Sequence, residues 1–132
     1  GVPFMRIEEM YFIEAEAAAH QQVSRGRELL ESFMTRYRNP NYVCRASDVV
    51  DEIVFQKAVE LWGEGQYFFD IKRLDMPVTE NYTGSNHTPP YLFNTTTRPA
   101  WMNWQISLLE EMNNAGVNGY NNPTVPDMAY GQ

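Results

Sequence analysis

The sequence predicts an all-α fold: two tetratricopeptide-like helical hairpins, a long aromatic-rich loop and a short carboxy-terminal helix, in a single domain spanning residues 1–132. Three observations carry that expectation. Apolar residues recur with helical period through residues 5–38 and again through 48–75. The second block begins roughly 40 residues after the first, longer than the tetratricopeptide period but suggesting a helical-repeat layout in which each hairpin needs its neighbour to bury its face. From Met76 to Trp104 the period disappears into a stretch punctuated by Pro77, Gly84, Pro89, Pro90 and Pro99.

The first helix is expected over Arg6–Gln21. A helical wheel puts Ile7, Met10, Tyr11, Ala15, Ala17 and Ala18 on one broad face, with Glu14 at its centre and Glu9, Glu16 and His20 opposite. The small residues Ala15 and Ala17–Ala19 invite close approach of a neighbouring helix. A second helix is expected over about 25–38, with Ser24 as its N-cap and Leu29, Leu30, Phe33, Met34 and Tyr37 as its apolar stripe. Asn39-Pro40 stops it. The short link between these helices predicts an antiparallel hairpin.

Ser47 or Asp48 opens the third helix, and Asp51 and Glu52 suit the positive end of its dipole. Val50, Val54, Phe55, Ala58, Val59, Leu61 and Trp62 cover more than half of its circumference, which predicts a helix sandwiched between others. Gly63-Glu64-Gly65 makes the corner. The fourth helix, 66–74, buries Tyr67, Phe68, Ile71 and Leu74, and Met76-Pro77 ends it. The extended loop 76–104 is read as irregular. A short helix over 107–113 precedes a Gly-, Asn- and Pro-rich tail expected to lie on the surface or fray.

A net charge of −7 argues against a nucleic-acid partner, since phosphate binding needs clustered Lys and Arg. It is compatible with a neutral ligand such as a sugar or peptide. Cys44 is the single cysteine, so no internal disulfide is possible. No apolar run approaches the ~20 residues that cross a bilayer. His20 and His87 stand far apart with no ligand-spaced Cys, Asp or Glu, so no metal or other cofactor is expected.

Several segments, taken in order, carry a family resemblance. Arg6-Ile-Glu-Glu-Met-Tyr-Phe-Ile-Glu-Ala-Glu-Ala17 is similar to an R-x-x-E-x-Y-L-x-x-A-E-A helix, and Met34-Thr-Arg36-Tyr-Arg38 stands where V-R-x-R is usual. Glu60-Leu-Trp-Gly-Glu64-Gly65-Gln-Tyr-Phe-Phe69-Asp70-Ile-Lys-Arg73 is similar to E-L-x-x-E-G-x-R-x-x-D-L-x-R, with Gln66-Tyr67 near the usual Arg. Pro99 with Trp104-Gln-Ile106-Ser107-Leu-Leu-Glu110 is similar to W-x-I-P-x-x-E, and Asn121-Asn122-Pro123 to a closing Q-N-P. Together these resemble the carboxy-terminal part of the SusD/RagB family. Gln56-Lys57 stands where that family commonly has Glu-Arg, and Ser107 where it has Pro.

The resemblance implies a surface-exposed outer-membrane lipoprotein, held by a lipid anchor lying outside this sequence. Such a protein captures glycans without catalysis and works with a TonB-dependent, SusC-like outer-membrane transporter. This segment would be mainly its helical scaffold.

The loop supplies the candidate ligand contacts. A sugar's flat C–H face stacks on Trp or Tyr rings, and neighbouring amides satisfy its hydroxyls. Trp101, Tyr91, Tyr82, Trp104 and Asn94 fit that chemistry; their structural alternative is to anchor the loop, above all around Trp104. Glu14, Glu64, Asp70 and Arg73 form the expected structural charge network, with Glu14 paired to Arg73 or Lys72. Glu60, Glu64 and Asp70 also admit a glycosidase reading, but their spacing equally suits caps and surface pairs. A helical-repeat protein–protein interaction module is the alternative function.

Overall fold

The computed structural model describes residues 5–99, 102–117 and the backbone of 129–130. The chain is all-α, with helical hairpins of the tetratricopeptide-like kind, and divides into two compact units, Gly1–Tyr67 and Phe68–Gln132.

In the first unit, α1 (Ile7–Gln21) and α2 (Val23–Tyr37) are joined by Gln22 alone. This residue is extended (φ −150°, ψ 106°). Its N–H donates to Ala18 O at 2.7 Å, closing α1, while its carbonyl receives Arg25 and Gly26 N–H at 3.0 and 3.2 Å, opening α2. One residue thus serves as C-cap and N-cap together. The reading of Ser24 as N-cap is corrected: it lies within the first turn of α2, and Gln22 makes no side-chain cap bond.

Close packing follows from the small residues on both sides. A Cβ added to Gly26 of α2 would lie 2.6 Å from Cα and 2.7 Å from N of Ala19, so the helices meet there at backbone distance. The core of this unit gathers Phe12, Ala15 and Ala19 of α1 with Leu30 and Phe33 of α2, joined by Cys44, Val49 and Ile53. Phe12 meets Phe33 edge-on at 4.9 Å, and Tyr11 and Tyr37 extend the cluster at 5.5 and 5.4 Å from the same ring. Arg27 and Glu31 satisfy the connecting loop. Arg27 donates to the carbonyls of Cys44 and Ala46, and Glu31 accepts from Cys44 N–H.

The face of α1 differs from the wheel. Its buried residues are Phe12, Ala15, Glu16 and Ala19; Ile7, Met10 and Ala17 are exposed, as is Glu14. Phe12 and the Ala19–Gly26 contact fix the rotation of the helix, and that turns Glu16 inward and Glu14 out.

α3 (Val49–Glu60) is capped by Asp48, whose Oδ1 accepts from Val50 and Asp51 N–H at 2.9 and 3.1 Å. Val49, Ile53, Val54 and Lys57 are buried, whereas Phe55, Val59 and Trp62 are 59, 58 and 85% exposed. The expectation of a sandwiched helix is therefore corrected. The inner face packs on α1 and α2, and the outward stripe faces solvent. At the corner, Gly63 and Gly65 hold φ +80° and +81°, the left-handed region that glycine enters without a Cβ penalty.

α4 (Gln66–Arg73) begins in the first unit and runs into the second. It buries Asp70 and Ile71, while Tyr67 and Phe68 stay 43 and 42% exposed, short of the expected burial. Its end is a left-handed cap. Asp75 sits at φ 53°, Leu74 N–H reaches Asp70 O, and Met76 N–H reaches Ile71 O. The loop that follows is more regular than its sequence suggests. It holds a 3-10 turn (Pro89–Tyr91) and a strand β1 (Phe93–Asn94), which pairs antiparallel with β2 (Ala129–Tyr130). α5 (Leu108–Asn113) follows, capped by Ser107 Oγ accepting from Glu110 N–H.

Candidate functional site

Two groups of polar and aromatic side chains stand out, one in each unit. In the first unit five charges converge on the corner. Glu60, its side chain 11% exposed, accepts from Arg6 Nη2 at 2.5 Å, from Arg38 Nη2 at 2.5 Å and from Arg38 Nε at 2.6 Å. Arg6 Nη1 donates to Glu64 Oε1 at 2.7 Å and to the Glu60 carbonyl at 3.1 Å, and Glu8 lies 3.4 Å from the same guanidinium. Arg6 precedes α1, Arg38 follows α2 and Glu60 ends α3, so one carboxylate ties three helix termini together.

The electrostatics agree with the geometry. The hydrogen bonds from Arg38, then those from Arg6, hold the Glu60 carboxyl below the usual carboxylate range against the opposing effect of burial. Both guanidinia are pushed upward, Arg6 chiefly by Glu64 and Arg38 chiefly by Glu60. A general acid needs the opposite arrangement, a carboxyl raised toward neutral pH. The carboxylates that suggested glycosidase chemistry are instead matched to cations: Glu60 and Glu64 to arginines of the corner, and Asp70 to Arg73 at 2.7 Å in the second unit. Glu14 joins none of the ion pairs seen among the described residues; it is exposed beside Tyr11, Ser32 and Arg36. Arg6, Glu8, Arg38 and Glu60 were absent from the expected network, although Arg6, Arg38 and Glu60 all sit in the motifs quoted above.

The second unit holds the candidate ligand residues. Residues 79–94 form a loop closed at its base. Thr79 bridges Asn94, Glu80 N–H donates to Phe93 O at 2.9 Å, and Thr95 Oγ1 accepts from Val78 N–H. Asn94 clamps the opposite strand. Its Oδ1 accepts from Glu80 and Asn81 N–H at 3.1 and 3.0 Å, and its Nδ2 donates to Asn81 O at 3.2 Å. Most of the Asn94 amide is thus engaged in holding the loop. Tyr82 and Tyr91, 56 and 63% exposed, are carried between those closed ends. Both are exposed on a tied backbone, which lowers the ordering cost of a ligand contact.

Trp104 is 95% exposed on the following segment. With Phe68, Met102, Asn103 and Gln105 it borders an open groove of about 400 Å³. Phe68 and Gln105 come from outside the candidate set; the spacing of Phe68 suits a buried helix face, yet its ring is 42% exposed. Trp101 and Asn121-Asn122-Pro123 lie outside the described residues. Among the described residues no group of three or more His, Cys, Asp or Glu is placed to hold a metal ion. None of the helices described is long and apolar enough to cross a membrane.

The corner carboxylates Glu60 and Glu64 are thus paired with arginines, and the exposed rings of Tyr82 and Tyr91 sit on a loop closed at its base. The chain belongs to the SusD family, whose sequence profile matches residues 1–127. No curated protein and no solved structure gives a significant match. Proteins of the SusD family are carbohydrate-binding, non-catalytic and generally associated with the outer membrane, so membership supports a general glycan-binding role.

Proposed function

We propose that this chain forms the helical scaffold, and part of the ligand surface, of a cell-surface protein that captures oligosaccharides non-catalytically. It would present them to a TonB-dependent, SusC-like transporter, with attachment to the outer membrane through a lipid anchor outside this sequence. The observation that carries the reading is the exposure of Tyr82, Tyr91 and Trp104 from the non-helical part of a family member. Rings in that setting stack on the C–H face of a pyranose, and the amides of Asn81 and Asn103 offer hydrogen bonds at its edge. Trp101 is proposed with them on its sequence position alone.

Calorimetric titration with neutral hexasaccharides (cello-, malto-, xylo- and mannohexaose) tests this. One of them binds the full chain, and Tyr91→Ala with Tyr82→Ala weakens that binding at least tenfold while the helical circular dichroism is unchanged. Binding unaffected by removal of both rings refutes the placement. A second reading, a protein-interaction module, is favoured by the exposed Phe55 and Val59 of α3 and by Trp62 in the turn that follows it. It predicts no hexasaccharide binding and loss of a protein partner in Trp62→Ala.

A further inference from the structure

The groove beside Trp104 is bordered by a polar group that the fold leaves unsatisfied. Gln105 lines it with Phe68, Met102 and Trp104, and both polar atoms of its amide, Oε1 and Nε2, are buried with no hydrogen-bond partner among the described residues. A buried glutamine that serves the fold is normally paired, because an unmet donor or acceptor shielded from water destabilises the chain. The segment is held without it. Met102 N–H donates to Pro99 O at 3.1 Å, Pro99 is fully buried, and Ser107 caps α5 on the other side.

The surroundings define what satisfies such an amide. Trp104 is almost fully exposed, Phe68 is half-buried, and Met102 adds a third apolar side chain. None of the five residues bordering the groove carries a charge, and the nearby Lys72 ammonium already sits 5.6 Å over the Phe68 ring. A primary amide presents a donor and an acceptor side by side. Two vicinal hydroxyls complement that pattern, one donating to Oε1 and the other accepting from Nε2. A neutral pyranose joins such a diol to a C–H face that stacks on an indole.

From this arrangement we infer that Gln105 is a specificity-determining residue of the ligand surface, its amide reading a vicinal diol of a neutral pyranose stacked on Trp104. This role rests on the glycan reading above, to which it adds the subsite and the feature of the sugar that is recognised. It also has a consequence in the free chain. An amide kept for recognition leaves the unliganded fold less stable than an apolar side chain of the same length would, whereas an amide that serves the fold does the reverse.

Gln105→Met keeps the length of the side chain and removes both polar atoms. In the full chain, calorimetric titration should show it binding the hexasaccharide preferred by wild type at least tenfold more weakly. Its urea midpoint without ligand, followed by circular dichroism, should equal or exceed that of wild type. Wild type should also lose at least tenfold toward the 2,3-di-O-methyl derivative of the same hexasaccharide, and Gln105→Met should discriminate between the two sugars less. A variant that binds as wild type does, that unfolds at lower urea, or that keeps the full discrimination overturns the role of Gln105 and leaves the glycan reading standing. If wild type binds no hexasaccharide of the panel, the glycan reading fails and the diol role fails with it.

Discussion

Replacing Glu60 by Gln keeps the shape of the side chain and removes its charge from between Arg6 and Arg38. The wild-type carboxylate receives three charge-assisted hydrogen bonds of 2.5–2.6 Å in a position where its side chain is 11% exposed. A hydrogen bond to a charged group contributes about 1.5–3 kcal/mol when sheltered, and a fully exposed ion pair well under 1 kcal/mol. The two guanidinia are 26 and 37% exposed and retain Glu8 and Glu64 as neighbours, so the loss lies between those limits, at about 2 kcal/mol. With a urea dependence of about 2 kcal/mol per molar, the unfolding midpoint falls by about 1 M. The assay is urea denaturation followed by far-ultraviolet circular dichroism at pH 7, with Glu14→Gln as control. The control should stay within about 0.5 kcal/mol, since Glu14 is exposed and outside the network. Because Arg38 and Arg6 depress the folded-state pKa of Glu60, its contribution is complete above the ordinary carboxylate value of 4.5 and fades as pH falls through the depressed one. The gap between wild type and Glu60→Gln should therefore close in acid. A shift below about 0.3 M at pH 7, or one matched by the control, refutes the picture of three helix ends tied through one carboxylate.

The remaining predictions concern packing, backbone and the loop. Gly26→Val forces a side chain into the Ala19 backbone and should cost at least about 2 kcal/mol in the same urea assay; Gly26→Ala should already be destabilising. Asp48→Ala removes the acceptor of two α3 amides and should cost about 1 kcal/mol. Gly65→Ala meets no neighbouring atom, so its cost of about 1 kcal/mol comes from the left-handed φ alone and should not be relieved by trimming adjacent side chains. Asn94→Ala releases the Glu80 and Asn81 amides, and hydrogen exchange should show faster exchange confined to residues 79–95 with α1–α3 unchanged.

How far the sequence spoke for the fold depended on what each signal records. Helix existence was plain because apolar period, Asn39-Pro40 and the double-glycine corner are local features with local causes. The close approach of α1 and α2 was foreshadowed by the alanine run, since small side chains permit backbone proximity wherever the partner helix lies. The rotation of α1 was not legible. Which of Glu14 and Glu16 turns inward depends on Phe12 and on Gly26, a contact between helices that no wheel contains. Gln22 as a one-residue link was hidden for a similar reason, as it carries no cap chemistry and is held extended by backbone bonds to Ala18, Arg25 and Gly26. At the corner, the sequence displayed Glu60 and Glu64 but not their partners, because Arg6 and Arg38 arrive from other helix ends. For the loop, the exposed rings Tyr82 and Tyr91 were visible as residue types. The role of Asn94 as a clamp became apparent only with the register of the Thr79 bridge.

The central claim is that aromatic rings of the tied loop meet a sugar face. Saturation-transfer difference spectroscopy tests it most directly: the aromatic protons of the full chain are irradiated and the response is read on the ring C–H protons of a bound hexasaccharide. The account predicts transfer concentrated on one face of a pyranose in wild type and its loss in the Tyr82→Ala, Tyr91→Ala double variant. Transfer of undiminished strength in that variant, or none to any hexasaccharide of the panel, would contradict it.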